Sequence, residues 1–238
     1  MTNILAIETA TEACSAALLV GEDMLHQFEH QPQQQARLIL PMVDALLAEA
    51  GLALGKLDAI AFGCGPGSFT GLRVAAAVTQ GIAVAGDVPV LPVSTLAAIA
   101  QGAFRRHGET RVLTAIDARM QEVYWGVYAL NEAGLMALQA QEHVLPPAEV
   151  PGPSEQSGDW CGAGSGWLAY AEALRGRLEE QGCEVARIHG NAWPEARDVL
   201  TLAVPLYSAG KGIEAAQVIP TYLRDKVAKS TAERASSP

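Results

Sequence analysis

Apolar residues at the start of the chain fall in short blocks: Asn3–Ile7, Ser15–Val20 and Met24–Phe28. Their separators, Glu8-Thr9-Ala10-Thr11-Glu12 and Gly21-Glu22-Asp23, are rich in turn formers, so a three-stranded meander is the simplest arrangement. The period then changes. Gln33–Ala50 has helical spacing and ends at Gly51, a residue suited to a helix C-terminus. Leu57–Gly63 predicts a buried strand, Ser68–Ala85 a helix, Val88–Val93 a strand and Ser94–Arg106 a helix. A meander followed by strand–helix alternation predicts an α/β domain with a mixed sheet.

The pattern then restarts. Arg111–Ile116 and Val123–Leu130 predict strands around an Asp117–Gln121 turn, with Leu135–Gln141 after them. Pro146–Gly158 is a Pro-, Gly- and Ser-rich loop. Trp160–Ala163 predicts a short strand, and Gly166–Gln181 and Pro194–Gly210 predict helices. Two such halves suggest a duplication, with domains at residues 1–104 and 105–228. The last helix is placed as returning to the first domain, and 229–238 as a disordered tail.

Composition narrows the class. Of 238 residues, 50% are hydrophobic and 18% charged, which fits a globular chain with a large core. A mean hydropathy of +0.16 points to apolar surface that a partner covers. No uninterrupted apolar run reaches the ~18 residues of a membrane span. Leu72–Ala85 carries Arg73, Thr79 and Gln80, and Met1-Thr2-Asn3 lacks the basic start of a signal peptide. Cys14, Cys64, Cys161 and Cys183 have no paired spacing and read as reduced cytoplasmic thiols. A net charge of −10 argues against RNA binding by this chain alone, because phosphates call for a basic face.

The first candidate for chemistry is Gly63-Cys64-Gly65-Pro66-Gly67-Ser68-Phe69-Thr70-Gly71, between a strand and a helix. Free N–H groups and a helix dipole there suit an anion, but an ordinary strand-to-helix turn capped by Ser68 or Thr70 is the simpler explanation. The Gly-Lys-Ser/Thr ending of a phosphate loop is absent. Glu8, Thr9, Gly65, Gly67, Ser68 and Asp117 are the residues a nucleotide would meet, although Asp117 also suits an ion pair with Arg119 or a turn cap. Gly162, Gly164 and Gly166 make a weaker motif. His26 and His30 have i, i+4 spacing but lie in a strand-and-turn pattern, His107, His143 and His189 are isolated, and no Gly-x-Ser-x-Gly elbow occurs.

The helix after Ser68 is more informative. Gly71, Ala75, Thr79 and Ala83 recur every four residues as a stripe of little bulk, with Ala76 beside it. Such a stripe admits either the chain's own sheet or a foreign helix. Helix Ala36–Ala50 has an apolar arc wider than one buried face requires. The expected partner surface is therefore Arg37, Leu40, Val43 and Leu47 with Gly71, Leu72, Ala75, Ala76, Thr79 and Ile82.

The run Ile4-Leu5-Ala6-Ile7-Glu8-Thr9-Ala10-Thr11-Glu12-Ala13-Cys14-Ser15 resembles the start of the TsaB (YeaZ) family. Gly65-Pro66-Gly67-Ser68-Phe69-Thr70-Gly71-Leu72-Arg73 is similar to that family's hallmark. Pro92–Leu96, Ile116–Tyr124 and Pro220–Asp225 extend the likeness over most of the chain, with Ser154–Asp198 least alike. The resemblance implies a duplicated actin-like, sugar-kinase-like fold. It also implies a non-catalytic scaffold for TsaD, the catalytic paralogue, with the ATPase TsaE. That assembly attaches threonylcarbamoyl to N6 of the adenosine beside the tRNA anticodon. The resemblance further implies a homodimer when the chain is alone, contact with tRNA only through the complex, no intrinsic cofactor, and room for ATP or ADP at the interface with partners. The paralogue's HxxxH metal motif is replaced by Ser94-Thr95-Leu96-Ala97-Ala98, and Ala10 stands where kinases of this fold have glycine. The competing expectation is a kinase-like or peptidase-like enzyme that uses Asp117.

Overall fold

A computed structural model describes residues 2–155 and 158–224. The expected tail at 229–238 lies outside them. Strands β1 (Asn3–Glu8), β2 (Ala13–Val20) and β3 (Asp23–His30) form the meander. β4 (Ala59–Gly65) adds parallel to β1, and β5 (Val90–Ser94) adds parallel to β4, giving the order β3-β2-β1-β4-β5. The second sheet repeats this plan. β6 (Arg111–Asp117), β7 (Val123–Leu130) and β8 (Met136–Leu138) are antiparallel neighbours. β9 (His143–Leu145) pairs with the other end of β7. β10 (Trp160–Ala163) and β11 (Val185–His189) then add in parallel, giving β11-β10-β6-β7-β8.

Alternation along β1 explains the layers. Leu5 and Ile7 face α1 (Gln35–Glu49) and α2 (Phe69–Gly86), in a core with Ile39, Leu46, Phe62 and Ala75. Ile4 and Ala6 face the other way, toward α5 (Ala196–Ser208), with Leu91, Val199 and Leu200. In the second sheet, Leu113 and Trp125 pack on α4 (Ser165–Glu180), while Val112 and Ile116 pack on α3 (Thr95–His107). Helices α3 and α5 also pack on each other. After α5, Ile213 pairs with Val90 at the β5 edge, and Val218 enters the first core. α3 runs through residue 104, so the division after that residue falls inside a helix.

α2 is long and apolar enough to cross a membrane by length and composition alone. Leu72, Ala75, Thr79, Ile82 and Ala83 are nonetheless buried in this chain, which makes α2 a core helix. β9 and β11 were not anticipated from the sequence. β9 is half-buried throughout, and β11 carries exposed Ala186 and Arg187, so neither reads as an apolar run.

Candidate functional site

The two loops that a nucleotide phosphate would meet lie against each other. Ser68 N–H donates to the Ala10 carbonyl at 2.7 Å, and the Thr9 hydroxyl donates to the Gly71 carbonyl at 2.8 Å. A Cβ on Gly71 would lie 2.0 Å from the Thr9 carbonyl oxygen, and one on Gly67 2.4 Å from that of Ala10. Glycine is therefore required for contact, not for room around a ligand. Donors that an anion would use are engaged: Ala10 N–H by Glu8 at 2.6 Å and Gly71 N–H by the capping Ser68 hydroxyl at 3.1 Å. Gly65, at φ +117, passes beneath Thr221, whose N–H donates to the Cys64 carbonyl at 2.7 Å. In the second half, Gly164 and Gly166 serve the same kind of close approach, against Ala115.

Glu8 is buried at the end of β1, and Thr95 at the start of α3 donates to it at 3.3 Å. Burial pushes its carboxyl from 4.5 up to about 7, against the opposing pull of the Ala10, Thr95 and Thr9 hydrogen bonds. The folded state thus holds this proton more tightly than the unfolded chain does. The stability contribution is complete below 4.5 and is lost as pH rises toward 7, about 3 kcal/mol over the window. His26 works in the opposite sense: burial and Arg197 lower it to about 4, so its contribution is lost as pH falls. The stability of Glu8→Gln relative to wild type isolates the first effect. In urea unfolding it is expected to rise between pH 4.5 and 7, and a pH-independent difference would show that Glu8 is not protonated in the fold.

A cleft of about 300 Å³ lies between the halves, walled by the Ala10–Glu12 turn, the start of α2, the turn after β6 and the segment Thr221–Arg224. Among the described residues, no histidine, cysteine or lysine lines it. Asp117 is held by its own turn. It accepts from Arg119 N–H at 2.8 Å and from the Arg119 guanidinium at 2.9 Å, while Arg119 also reaches Glu12 at 3.5 Å. The cleft mouth was not anticipated. Phe69 lies beside Tyr222 with ring centroids 5.8 Å apart, Arg73 stacks 3.6 Å over Phe69, and Arg224 pairs with Glu122. At the start of α3, where the paralogue's histidines were expected to be missing, Ser94 caps the helix. Its hydroxyl and that of Tyr128 both donate to Glu142. Burial raises the Glu142 carboxyl.

The expected partner surface needs correction. Val43, Leu47, Gly71, Leu72, Ala75, Ala76, Thr79 and Ile82 are buried in the chain's own core, because the small-residue stripe is what lets α2 sit close on β1 and β4. Of the ten residues, Arg37 and Leu40 are exposed. The outward face of α2 instead carries Arg73, Ala77, Gly81, Val84 and Ala85, small except at Arg73 and Val84, and a Cβ on Gly81 meets nothing within 4 Å.

The duplicated sheets, with a cleft between them whose first-domain loops pack directly on each other, define a chain of the duplicated actin-like class. The family described as "TsaD: tRNA N6-adenosine threonylcarbamoyltransferase" matches residues 29–231. The chain is 42% identical to the tRNA threonylcarbamoyladenosine biosynthesis protein TsaB of Escherichia coli, over 94% of this chain and 96% of that one. It is 38% identical to the Haemophilus influenzae TsaB over 94% of each. YeaZ from Pseudomonas aeruginosa, a solved structure, superposes with a TM-score of 0.87 at 48% identity, covering 94% of this chain and all of that one. The chain belongs to the TsaB (YeaZ) family of tRNA threonylcarbamoyladenosine biosynthesis proteins.

Proposed function

We propose that this chain is a non-catalytic cytoplasmic subunit that binds TsaD, with TsaE, for transfer of threonylcarbamoyl to the adenosine beside the tRNA anticodon. The observation that carries this reading is the packing of Ala10 and Thr9 onto Gly67 and Gly71, which fills the space a transferred phosphate needs. Asp117, the base an enzyme of this fold would require, is tied to Arg119. Several of the described arginines are paired with carboxylates: Arg105 with Glu195 and Asp198, Arg197 with Glu195, Arg187 with Glu109, and Arg224 with Glu122. This supports contact with tRNA through the complex only. ATP or ADP belongs to the joint interface with partners.

The docking face is the outer side of α1 and α2, where Leu40 is 50% and Val84 72% exposed. In the absence of TsaD, two copies pair through the same face. Gly81→Arg tests this, because the added side chain projects into open space and leaves the core intact. Light scattering and titration calorimetry with TsaD are expected to show binding weakened about 100-fold or more, roughly 2.7 kcal/mol, with the homodimer lost as well. Leu40→Arg should act in the same direction. Unchanged pairing in both folded variants would place the partner elsewhere, and ATP turnover by wild type that Asp117→Ala abolishes would overturn the non-catalytic reading.

A further inference from the structure

α3 begins beside Glu8 and ends about 18 Å further on at His107, by its length at ~1.5 Å per residue. Side chains from three segments distant in sequence converge at that end. Glu109, buried, precedes β6; Cys161, fully buried, lies on β10; His189 closes β11. Their ligand atoms all lie within 4.8 Å of one another, and His189 Nε2 is 2.9 Å from Glu109 Oε1. His107 stacks on His189, with ring centroids 3.9 Å apart and planes at 9°. A carboxylate, a thiol and an imidazole make a three-ligand donor set suited to a four-coordinate zinc-type ion that keeps one open position. The carbonyl end of α3 adds a partial negative charge that favours a cation.

We infer that Glu109, Cys161 and His189 form a three-ligand binding site for a divalent zinc-type cation, with a water as fourth ligand and His107 stacked on the His189 ring to hold its orientation. Arg187 now grips Glu109 with both prongs, Nε to Oε1 at 2.8 Å and Nη2 to Oε2 at 2.9 Å. That guanidinium is half-exposed, and Asp159 stands 4.0 Å from its Nη1. It therefore has a second carboxylate to turn to when a cation takes Glu109. Binding forms a sulfur–metal bond at Cys161 and releases the thiol proton to solvent. The thiolate and the Glu109 carboxylate then balance the two positive charges. The ion ties the end of α3 to β6, β10 and β11, so it acts as a clip on the second domain, distinct from the docking face on the first.

Titration of the reduced full-length chain with Co²⁺, followed by absorbance, is the test. A thiolate-to-cobalt charge-transfer band saturating at one equivalent is expected, displaced by Zn²⁺, and Zn²⁺ should raise Tm. Cys161→Ser should abolish the band, whereas Cys64→Ser and Cys183→Ser should leave it. His189→Gln should weaken binding about 100-fold or more, beyond the loss of an outer-shell partner. Arg187→Ala should bind Co²⁺ about tenfold tighter, because the charge-assisted pair that competes for Glu109 is gone. That variant and His189→Gln have partly exposed side chains and decide the matter even where Cys161→Ser fails to fold. No thiolate band in wild type, a band that depends on another cysteine, or unchanged affinity in Arg187→Ala overturns the site.

Discussion

Arg105→Ala is expected to destabilise the protein by about 3–5 kcal/mol, with the lower end favoured because part of the guanidinium reaches water. Asp198 on α5 is fully buried, and both of its oxygens accept from Arg105 of α3 at 2.8 Å. Glu195, also buried, takes Arg105 at 3.3 Å and Arg197 at 2.6 Å, with Arg106 in contact as well. Removing Arg105 leaves the Asp198 carboxylate in a dry helix–helix contact without its two-pronged partner. The double variant Arg105→Met/Asp198→Leu removes both charges and should recover most of the loss. Urea unfolding of the single and double variants measures this. A single-variant loss below ~1 kcal/mol would class the pair with exposed ion pairs instead.

Gly71→Ala should cost at least about 3 kcal/mol, the upper end of ordinary overpacking. The new methyl would sit 2.0 Å from the Thr9 carbonyl oxygen, and backbone cannot swing aside as a long side chain does. At ~2–4 °C per kcal/mol for a chain of this size, Tm should fall by roughly 6–12 °C. Helix propensity alone predicts the opposite sign, a gain of ~1 kcal/mol for alanine over glycine. Gly81→Ala, on the same helix with open space around it, should show that gain. Equal responses at the two positions would mean that the loop contact yields easily.

These two glycines also show what the sequence was able to convey. Small residues every four positions along α2 marked Gly71, Ala75, Thr79 and Ala83 as sharing a face, and they do. Periodicity does not say what covers a face, and here the chain's own sheet does. The meanders were legible because Leu5, Ile7 and Leu18 alternate with residues of the opposite face and are bounded by turn formers. β11 was not, since an edge strand with exposed Ala186 and Arg187 leaves little apolar signal. The Asp117–Arg119 ion pair is local and readable from spacing. Arg105–Asp198 joins residues that only the packing of α3 on α5 brings together, and Glu109–Cys161–His189 ones that only sheet topology does.

The return of α5 to the first sheet has a consequence for biosynthesis. Ile4, Ala6, Ala17 and Leu91 are covered by Ala196, Val199, Leu200 and Ala203. On a ribosome, the strands and helix of the second sheet emerge before that cover is made. At ~5–20 residues per second, the roughly 100 residues between the end of α3 and the end of α5 take about 5–20 s. The half that is translated first is therefore finished last, and during this interval one apolar side of its sheet stands open to chaperones or to a neighbouring nascent chain.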